Sequence, residues 1–266
     1  MAALPHHERR RLIQAVTGLS RADLAGGVEP DAEQQSAIER LVARREAGEP
    51  LQYLEGTAQF GHLDLLCDHR ALIPRPETER LWEEAVASLR QGGPGTVIVD
   101  IGTGSGCLAL ALKHSFAEAR VIGTDVSEDA LALAKANAER TGLEAEFLHG
   151  SLFDPLPRSL MGRVDLVVSN PPYVAEGEYP SLPPEVRDHE PRDALVAGPS
   201  GTEVLAQIAD EAFWWVGIGG WVLCEIGETQ GEEALRLFGA YDREVRPDLA
   251  GKDRILVARR GASCCV

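Results

Sequence analysis

The run Val97-Ile98-Val99-Asp100-Ile101-Gly102-Thr103-Gly104-Ser105-Gly106 constrains the fold of this chain more than any other segment. Its first half is apolar but for one acid, the pattern of a strand buried on both faces of a parallel sheet. Its second half sets glycines at alternate positions. Glycine reaches positive φ without strain and lets a ligand approach the backbone closely. A helix is predicted over 107–113, so exposed amides and a helix N-terminus follow the turn and suit an anion such as a carboxylate. The spacing is G-x-G-x-G, which departs from the G-x-G-x-x-G of dinucleotide-binding folds.

From residue 96 onward strands and helices alternate. Strands are predicted at 96–101, 120–124, 146–149, 165–169 and 221–226, with helices at 107–113, 129–140 and 202–216. Such alternation implies an α/β fold with a mostly parallel sheet covered on both faces. Two last strands, near 241–245 and 254–258, have no predicted helix between them and are expected to close the sheet as an antiparallel pair. The first ~70 residues read differently, as amphipathic helices. Leu12, Ile13, Val16 and Leu19 repeat at helical spacing, and Ser20 caps a short helix. Asp31 with Gln34 forms a capping box ahead of the apolar stripe Ile38, Leu41 and Val42. The expected division is a helical unit plus linker over 1–73, with Phe60, Leu63, Leu65 and Leu66 in short extended segments, and an α/β domain over 74–266. Pro74 and Pro76 bracket Arg75 at the join, where helix is disfavoured, and a helix carrying Leu81, Trp82, Ala85, Val86 and Leu89 follows.

Charge and composition narrow the function. With 42 acidic and 26 basic residues the net charge is −16, which argues against direct nucleic-acid binding. The Arg9-Arg10-Arg11 run is the one obvious basic cluster. No apolar run approaches the ~20 residues of a membrane span, and the N-terminus lacks a signal-peptide core. A cytoplasmic protein without membrane contact is expected. Cysteines at 67, 107, 224, 264 and 265 form no C-x-x-C pair, so neither a disulfide framework nor a metal site is expected.

Two further positions bear on the glycine turn. Asp125, 19 residues beyond Gly106 at the end of the next strand, can accept hydrogen bonds from both ribose hydroxyls of an adenosine. Ser151 and Leu152, after the third strand, would border an adenine ring by position. Asp100 can either orient the turn or meet an amino group of the ligand.

The sharpest chemical signal is Asn170-Pro171-Pro172-Tyr173, directly after the apolar run Leu166-Val167-Val168. Ligands of open α/β sheets bind beyond the carboxyl ends of the strands. An amide or aromatic amine nitrogen is a poor nucleophile because its lone pair is delocalised. Acceptors on both of its N–H bonds can hold it and favour a tetrahedral nitrogen. The Asn170 side-chain oxygen and the Pro171 carbonyl can supply them. The two prolines stiffen the loop, so the acceptors are preorganised. Tyr173 offers a flat face for a planar group. Transfer of a methyl group from a sulfonium then needs alignment more than a strong base.

From about Gly48 to Arg259 the chain resembles the release factor glutamine methyltransferases, the HemK/PrmC family. The resemblance rests on Gly48-Glu49-Pro50-Leu51, Pro74-Arg75-Pro76-Glu77-Thr78-Glu79, the 100–106 turn and Asn170-Pro171-Pro172-Tyr173. It continues through Glu190-Pro191, Ala194-Leu195, Gly198, Gly201 and Glu225-Ile226-Gly227, and ends with Asp248, Gly251, Asp253 and Arg254. It implies a small N-terminal helical domain joined to a Rossmann-like methyltransferase domain. It further implies S-adenosylmethionine as cofactor, S-adenosylhomocysteine as its product, and N5-methylation of the glutamine in the Gly-Gly-Gln motif of class 1 release factors. Gly102, Thr103, Gly104, Ser105, Gly106, Asp125, Leu152 and Asn170 would contact the cofactor. Asn170, Pro171, Pro172 and Tyr173 would hold the glutamine. The Pro74–Glu79 segment would border the active site, making Arg75 and Glu77 candidate substrate contacts. Relatives often carry an aromatic residue where Leu152 stands. A monomer is expected. The competing readings are a DNA or RNA exocyclic-amine methyltransferase, which would share the catalytic loop, and a non-catalytic partner-binding protein that retains the fold.

Overall fold

The computed structural model describes residues 4–90 and 92–262. Cys264 and Cys265 lie outside the described residues. Helices α1 (His6–Thr17), α2 (Arg21–Ala25), α3 (Ala32–Glu46) and α4 (Leu51–Glu55) come first. The cap expected at Ser20 and the capping box expected between Asp31 and Gln34 are both formed, and Ser20 also makes a capping box with Asp23. This unit is small. Its core is Leu12, Leu51 and Leu54, flanked by Leu4, Leu41 and Val42. Arg9, Arg10 and Arg11 lie on the solvated face of α1.

The extended segments expected at Phe60, Leu63, Leu65 and Leu66 are formed, and they pack on the sheet domain. Strands β1 (Thr57–Phe60) and β2 (Leu63–Leu66) form a hairpin. Phe60, Leu63 and Leu65 are buried with Leu81, Ile98 and Leu110. Burying three large apolar side chains there outweighs any tendency of residues 57–66 to run free between domains. The Pro-Arg-Pro segment follows expectation, with Arg75 extended at φ −109° and ψ 150°. Helix α5 (Pro76–Leu89) begins at the second proline, with Arg75 as its N-cap. Proline is well suited to the first helical position because its missing N–H would have no partner there.

The central sheet then follows: β3 (Val97–Ile101), α6 (Cys107–Ser115), β4 (Arg120–Asp125), α7 (Glu128–Thr141), β5 (Glu146–His149) and β6 (Val164–Ser169). Next come β7 (Val174–Ala175), α8 (Pro184–Arg187), β8 (Val196–Gly198), α9 (Glu203–Trp215) and β9 (Val216–Glu225). Helix α10 (Gly231–Leu237) precedes β10 (Asp242–Pro247) and β11 (Asp253–Arg259). The seven strands lie in the order β10-β11-β9-β6-β3-β4-β5. The pairs β6–β3, β3–β4, β4–β5 and β6–β9 are parallel, and β11 with β10 closes one edge antiparallel, as the sequence predicted.

The period of 2 along β3 sorts its side chains between two cores. Val97, Val99 and Ile101 face α9 residues such as Leu205 and Ile208. Ile98 faces the α5 and α6 side, with Leu81 and Leu108. Strand β3 is the topological switch point, since the chain runs outward from it through β4 and β5 on one side and β6 on the other. Ligands of open α/β sheets bind at such a point. Among the described residues no helix is long and apolar enough to cross a membrane.

Candidate active site

Beyond the carboxyl ends of β3, β4 and β6 lies a cavity of about 520 Å³. This is within the roughly 300–1,000 Å³ typical of small-molecule sites. Asp100, Gly102, Thr103, Gly104, Ser105, Asp125, Ser151, Leu152 and Asn170 all line it. Gly106 does not. A Cβ on Gly106 would lie 3.1 Å from the Ala134 Cβ and 3.3 Å from the Phe147 ring, so this glycine serves the packing of α6 on α7.

The floor of the cavity is held by short-range hydrogen bonds. Gly102, Gly104 and Gly106 take φ of 67°, 55° and 81°, values that carry the chain from β3 into α6 without side-chain strain. The Gly104 N–H donates to Asp125 Oδ2 and the Ser127 N–H to Asp125 Oδ1, each at 2.9 Å. A carboxylate has about four acceptor positions, so each Asp125 oxygen keeps one for a ligand. Capping of α7 falls to Ser127, whose hydroxyl accepts from Ala130 N.

Asp100 Oδ2 accepts from Thr103 Oγ1 at 2.6 Å and from the Ala109 N–H at 3.1 Å. Asp100 Oδ1 and Ser105 Oγ are buried without a hydrogen-bond partner among the described residues. Burial pushes the Asp100 carboxyl up to about 7, against the pull of the Thr103 and Ala109 hydrogen bonds. An unpartnered carboxylate oxygen beside exposed turn amides fits a ligand bearing both an amino group and a carboxylate. Leu152 stands at φ 45°. Its carbonyl accepts from Thr124 Oγ1 at 2.8 Å, and its side chain packs against the core below.

A second cavity, of about 380 Å³, adjoins the first. Leu72, Arg75, Asn170, Pro171 and Ala194 border both cavities. Glu77, Tyr173, Val186, Glu225 and Arg254 border the second alone. Pro172 lines the first and Tyr173 the second, so the loop over residues 170–173 forms the partition. Burial, with the Glu225 charge nearby, pushes the Tyr173 phenol up to about 12, so the ring stays neutral. Gln230 anchors this loop. Its Nε2 donates to the carbonyls of Tyr173 at 2.9 Å and Gly201 at 3.0 Å, while its Oε1 accepts from the Gly227 N–H.

The two predicted substrate contacts in the Pro74–Glu79 segment are placed differently from each other. Glu77 is exposed at the rim. Arg75 is engaged within the protein: it donates to Glu190 Oε1, and Glu190 Oε2 accepts from the Ile73 N–H at 3.2 Å. Arg75 therefore braces the wall shared by the cavities.

Several residues at this site carry roles that sequence reading did not assign. Thr78, Glu225 and Gln230 were visible only as parts of motifs or not at all. Glu225 offered one usable signal, an acid at the end of the apolar run Trp221-Val222-Leu223-Cys224. Asn137 offered none. It bridges the glycine turn and the hairpin, accepting from the Leu66 N–H at 2.6 Å and donating to the Ser105 carbonyl at 2.9 Å.

Comparison with known proteins agrees with this geometry. Residues 2–56 match the PrmC N-terminal domain, and residues 78–181 match the methyltransferase small domain. A release factor glutamine methyltransferase of Geobacter sulfurreducens is 40% identical over 259 residues, covering 96% of this chain and 89% of the relative. One from Deinococcus radiodurans is 42% identical, covering 96% and 91%. One from Nitratidesulfovibrio vulgaris is 46% identical, covering 83% and 76%. In fold alone the chain is similar to a methyltransferase of Pyrococcus furiosus, with a TM-score of 0.54, 20% identity, and coverage of 87% of this chain and 100% of that one. With such identity sustained over nearly its whole length, the chain belongs to the family of release factor glutamine methyltransferases.

Proposed function

We propose that this chain methylates the side-chain amide nitrogen of the glutamine in the Gly-Gly-Gln motif of release factors. It is an S-adenosylmethionine-dependent methyltransferase acting on release factor glutamine. The observation that carries the assignment of its site is the meeting of the two cavities at Asn170 and Pro171. A donor in the larger cavity and an amide in the smaller one would face each other across these two residues.

In the larger cavity the amides of the 102–106 turn would hold the cofactor's carboxylate, with Gly106 contributing through packing. Asp100 Oδ1 would accept from the cofactor's amino group, Asp125 from the ribose hydroxyls, and Ser151 and Leu152 would border the adenine. When bound, S-adenosylmethionine supplies an electrophilic methyl group on a positively charged sulfur. In the smaller cavity Asn170 Oδ1 and the Pro171 carbonyl would accept from the two N–H bonds of the glutamine amide. Tyr173 would cover its flat face, and Pro172 would hold the loop rigid. Two fixed acceptors draw electron density toward the nitrogen and hold its lone pair toward the methyl donor. The proton that the methylated nitrogen gives up would leave to water along one of the two N–H bonds held by Asn170 Oδ1 and the Pro171 carbonyl, so that one N–H remains on the product and the cofactor leaves as neutral S-adenosylhomocysteine. Glu77 at the rim would meet the peptide around the glutamine, and Arg75 would keep the shared wall in place.

The division of the chain follows the same reading. A helical unit would end near residue 56, and the hairpin of the following linker would belong with the sheet domain on which it packs. Class 1 factors would be the partners. The acidic balance disfavours nucleic acid as substrate. A monomer working in the cytoplasm, where translation ends, fits this function.

The test is methyl transfer from labelled cofactor to a purified release factor, to its variant with the Gly-Gly-Gln glutamine replaced, and to total RNA. Label on the unaltered factor alone is expected. Equal label on the variant would refute the target, and label on RNA would replace it. Asn170→Ala should abolish most transfer while leaving cofactor affinity nearly intact.

A further inference from the structure

The Asn170 side chain is held from behind. Asn170 Nδ2 donates to Thr78 Oγ1 at 2.9 Å. Thr78 Oγ1 donates onward to Glu225 Oε2 at 2.8 Å. The three residues come from three elements: the first turn of α5, the loop after β6, and the last position of β9. Thr78 is 2% and Glu225 1% exposed, so bulk water does not compete for these bonds.

The direction of this chain follows from counting protons. A hydroxyl has one proton to donate, and a carboxylate oxygen only accepts. Once Thr78 has given its proton to Glu225, it can only accept from its other neighbour. The end of the Asn170 amide that faces Thr78 must therefore be the NH₂, and Oδ1 must point away from it. The two ends of an amide are nearly identical in size, so packing alone does not choose between them. The choice matters. Turned by 180°, the amide would aim its own N–H bonds at the N–H bonds of the substrate.

We propose that Thr78 and Glu225 are positioning residues that fix the Asn170 amide with its oxygen toward the substrate nitrogen. This rests on Asn170 being the acceptor for the glutamine amide. Glu225 thus acts at one remove, with Arg254, Arg75 and Glu77 as the charged groups around it. It explains why an acid sits buried at the end of β9, where a neutral residue would be less costly to bury.

The test compares Thr78→Val, Thr78→Ser, Glu225→Met, Glu225→Gln and the Thr78→Val/Glu225→Met double variant. The measurements are kcat with cofactor and release factor saturating, the Kd for S-adenosylmethionine, and the thermal midpoint. Assays are run above the value of about 7 to which burial pushes the Glu225 carboxyl, which keeps it an acceptor. Thr78→Val should lower kcat roughly 10–100-fold, the range seen when a partner that orients a ligating group is removed. Cofactor Kd should stay within about threefold. Thr78→Ser keeps the hydroxyl and should restore most of the rate. Glu225→Gln keeps an acceptor oxygen and should do the same, whereas Glu225→Met should not. The double variant should be no slower than the slower single one, because both break one relay. A merely structural bond would instead move the thermal midpoint and leave kcat alone. Near-normal kcat in folded Thr78→Val and Glu225→Met, with Asn170→Ala inactive, overturns the relay and leaves the role of Asn170 standing. Additive losses overturn it likewise. Full activity in Asn170→Ala overturns the reading on which the relay rests. Should Thr78→Val fail to fold, the contrast between Glu225→Met and Glu225→Gln decides.

Discussion

Gly201→Ala tests how the loop over residues 170–173, proposed to hold the substrate amide, is itself held. Gly201 stands at φ 82°. A methyl group on it would lie 2.7 Å from the Tyr173 carbonyl oxygen, 3.0 Å from the Ala175 nitrogen and 3.1 Å from Gln230 Nε2. Two of these neighbours are backbone atoms of the loop itself, so relief requires the loop to move. The left-handed conformation costs alanine roughly 1–2 kcal/mol. Forcing a methyl group into packed structure costs about 1–3 kcal/mol more. The combined loss, about 2–5 kcal/mol, should lower the thermal midpoint of a chain this size by roughly 5–15 °C. Activity should fall further than stability, because a shift near 1 Å at a positioning group can cost about 10²-fold in rate. Gly201 does not line the larger cavity, so cofactor Kd should hardly change. Gly177→Ala is the control, since nothing lies within 4 Å of a Cβ there. Calorimetric melting, cofactor titration and methyl transfer at saturation measure the three quantities. A Gly201→Ala protein with normal kcat and melting would refute the reasoning, as would a loss confined to cofactor binding.

Asp125→Ala removes a carboxylate that also fixes Gly104 and Ser127. Hydrogen bonds to a charged group contribute about 1.5–3 kcal/mol, so cofactor Kd should rise about 10–100-fold by titration, with kcat at saturation much less affected. Asp100 should make the cofactor-free protein less stable as pH rises. Its folded value, about 7, lies above the ordinary 3.8, so its stabilising effect is complete below that lower value and is lost as pH rises to about 7. Denaturant melts of Asp100→Asn across this window should decline less steeply than those of the unaltered chain, and equal slopes would contradict the assignment. Arg75→Ala leaves Glu190 buried and unpaired. Removing one partner of such a pair costs about 3–5 kcal/mol when both are buried, and Arg75 is 32% exposed, so about 2–3 kcal/mol is expected in chemical denaturation.

Much of the architecture was legible because it is written locally. Apolar runs of 4–6 residues, glycine spacing and capping boxes specify each strand, turn and helix within a short window. The turn at 102–106, Asp125 and Asn170 fell where the strand ends put them. What local pattern left out has a different cause. Residues 57–66 were legible as short extended segments, but the side chains that bury them, Leu81, Ile98 and Leu110, come later in the chain. Pro74 and Pro76 marked Arg75 as non-helical, and it stands extended at φ −109° and ψ 150° directly ahead of α5. Helix α10 was passed over.

The sequence by itself determined the α/β fold, the glycine turn and the proline loop that follows the Val164–Ser169 strand. Periodicity, turn chemistry and the exposure of strand ends are properties of neighbours along the chain. Only the tertiary structure decided how those groups are aimed. Arg75 meets Glu190 across 115 positions, Thr78 meets Asn170 across 92, and Glu225 closes the relay across 147. A hydrogen bond takes its direction from which atom holds the proton and which partner lies within reach, and no pattern of adjacent residues encodes that reach.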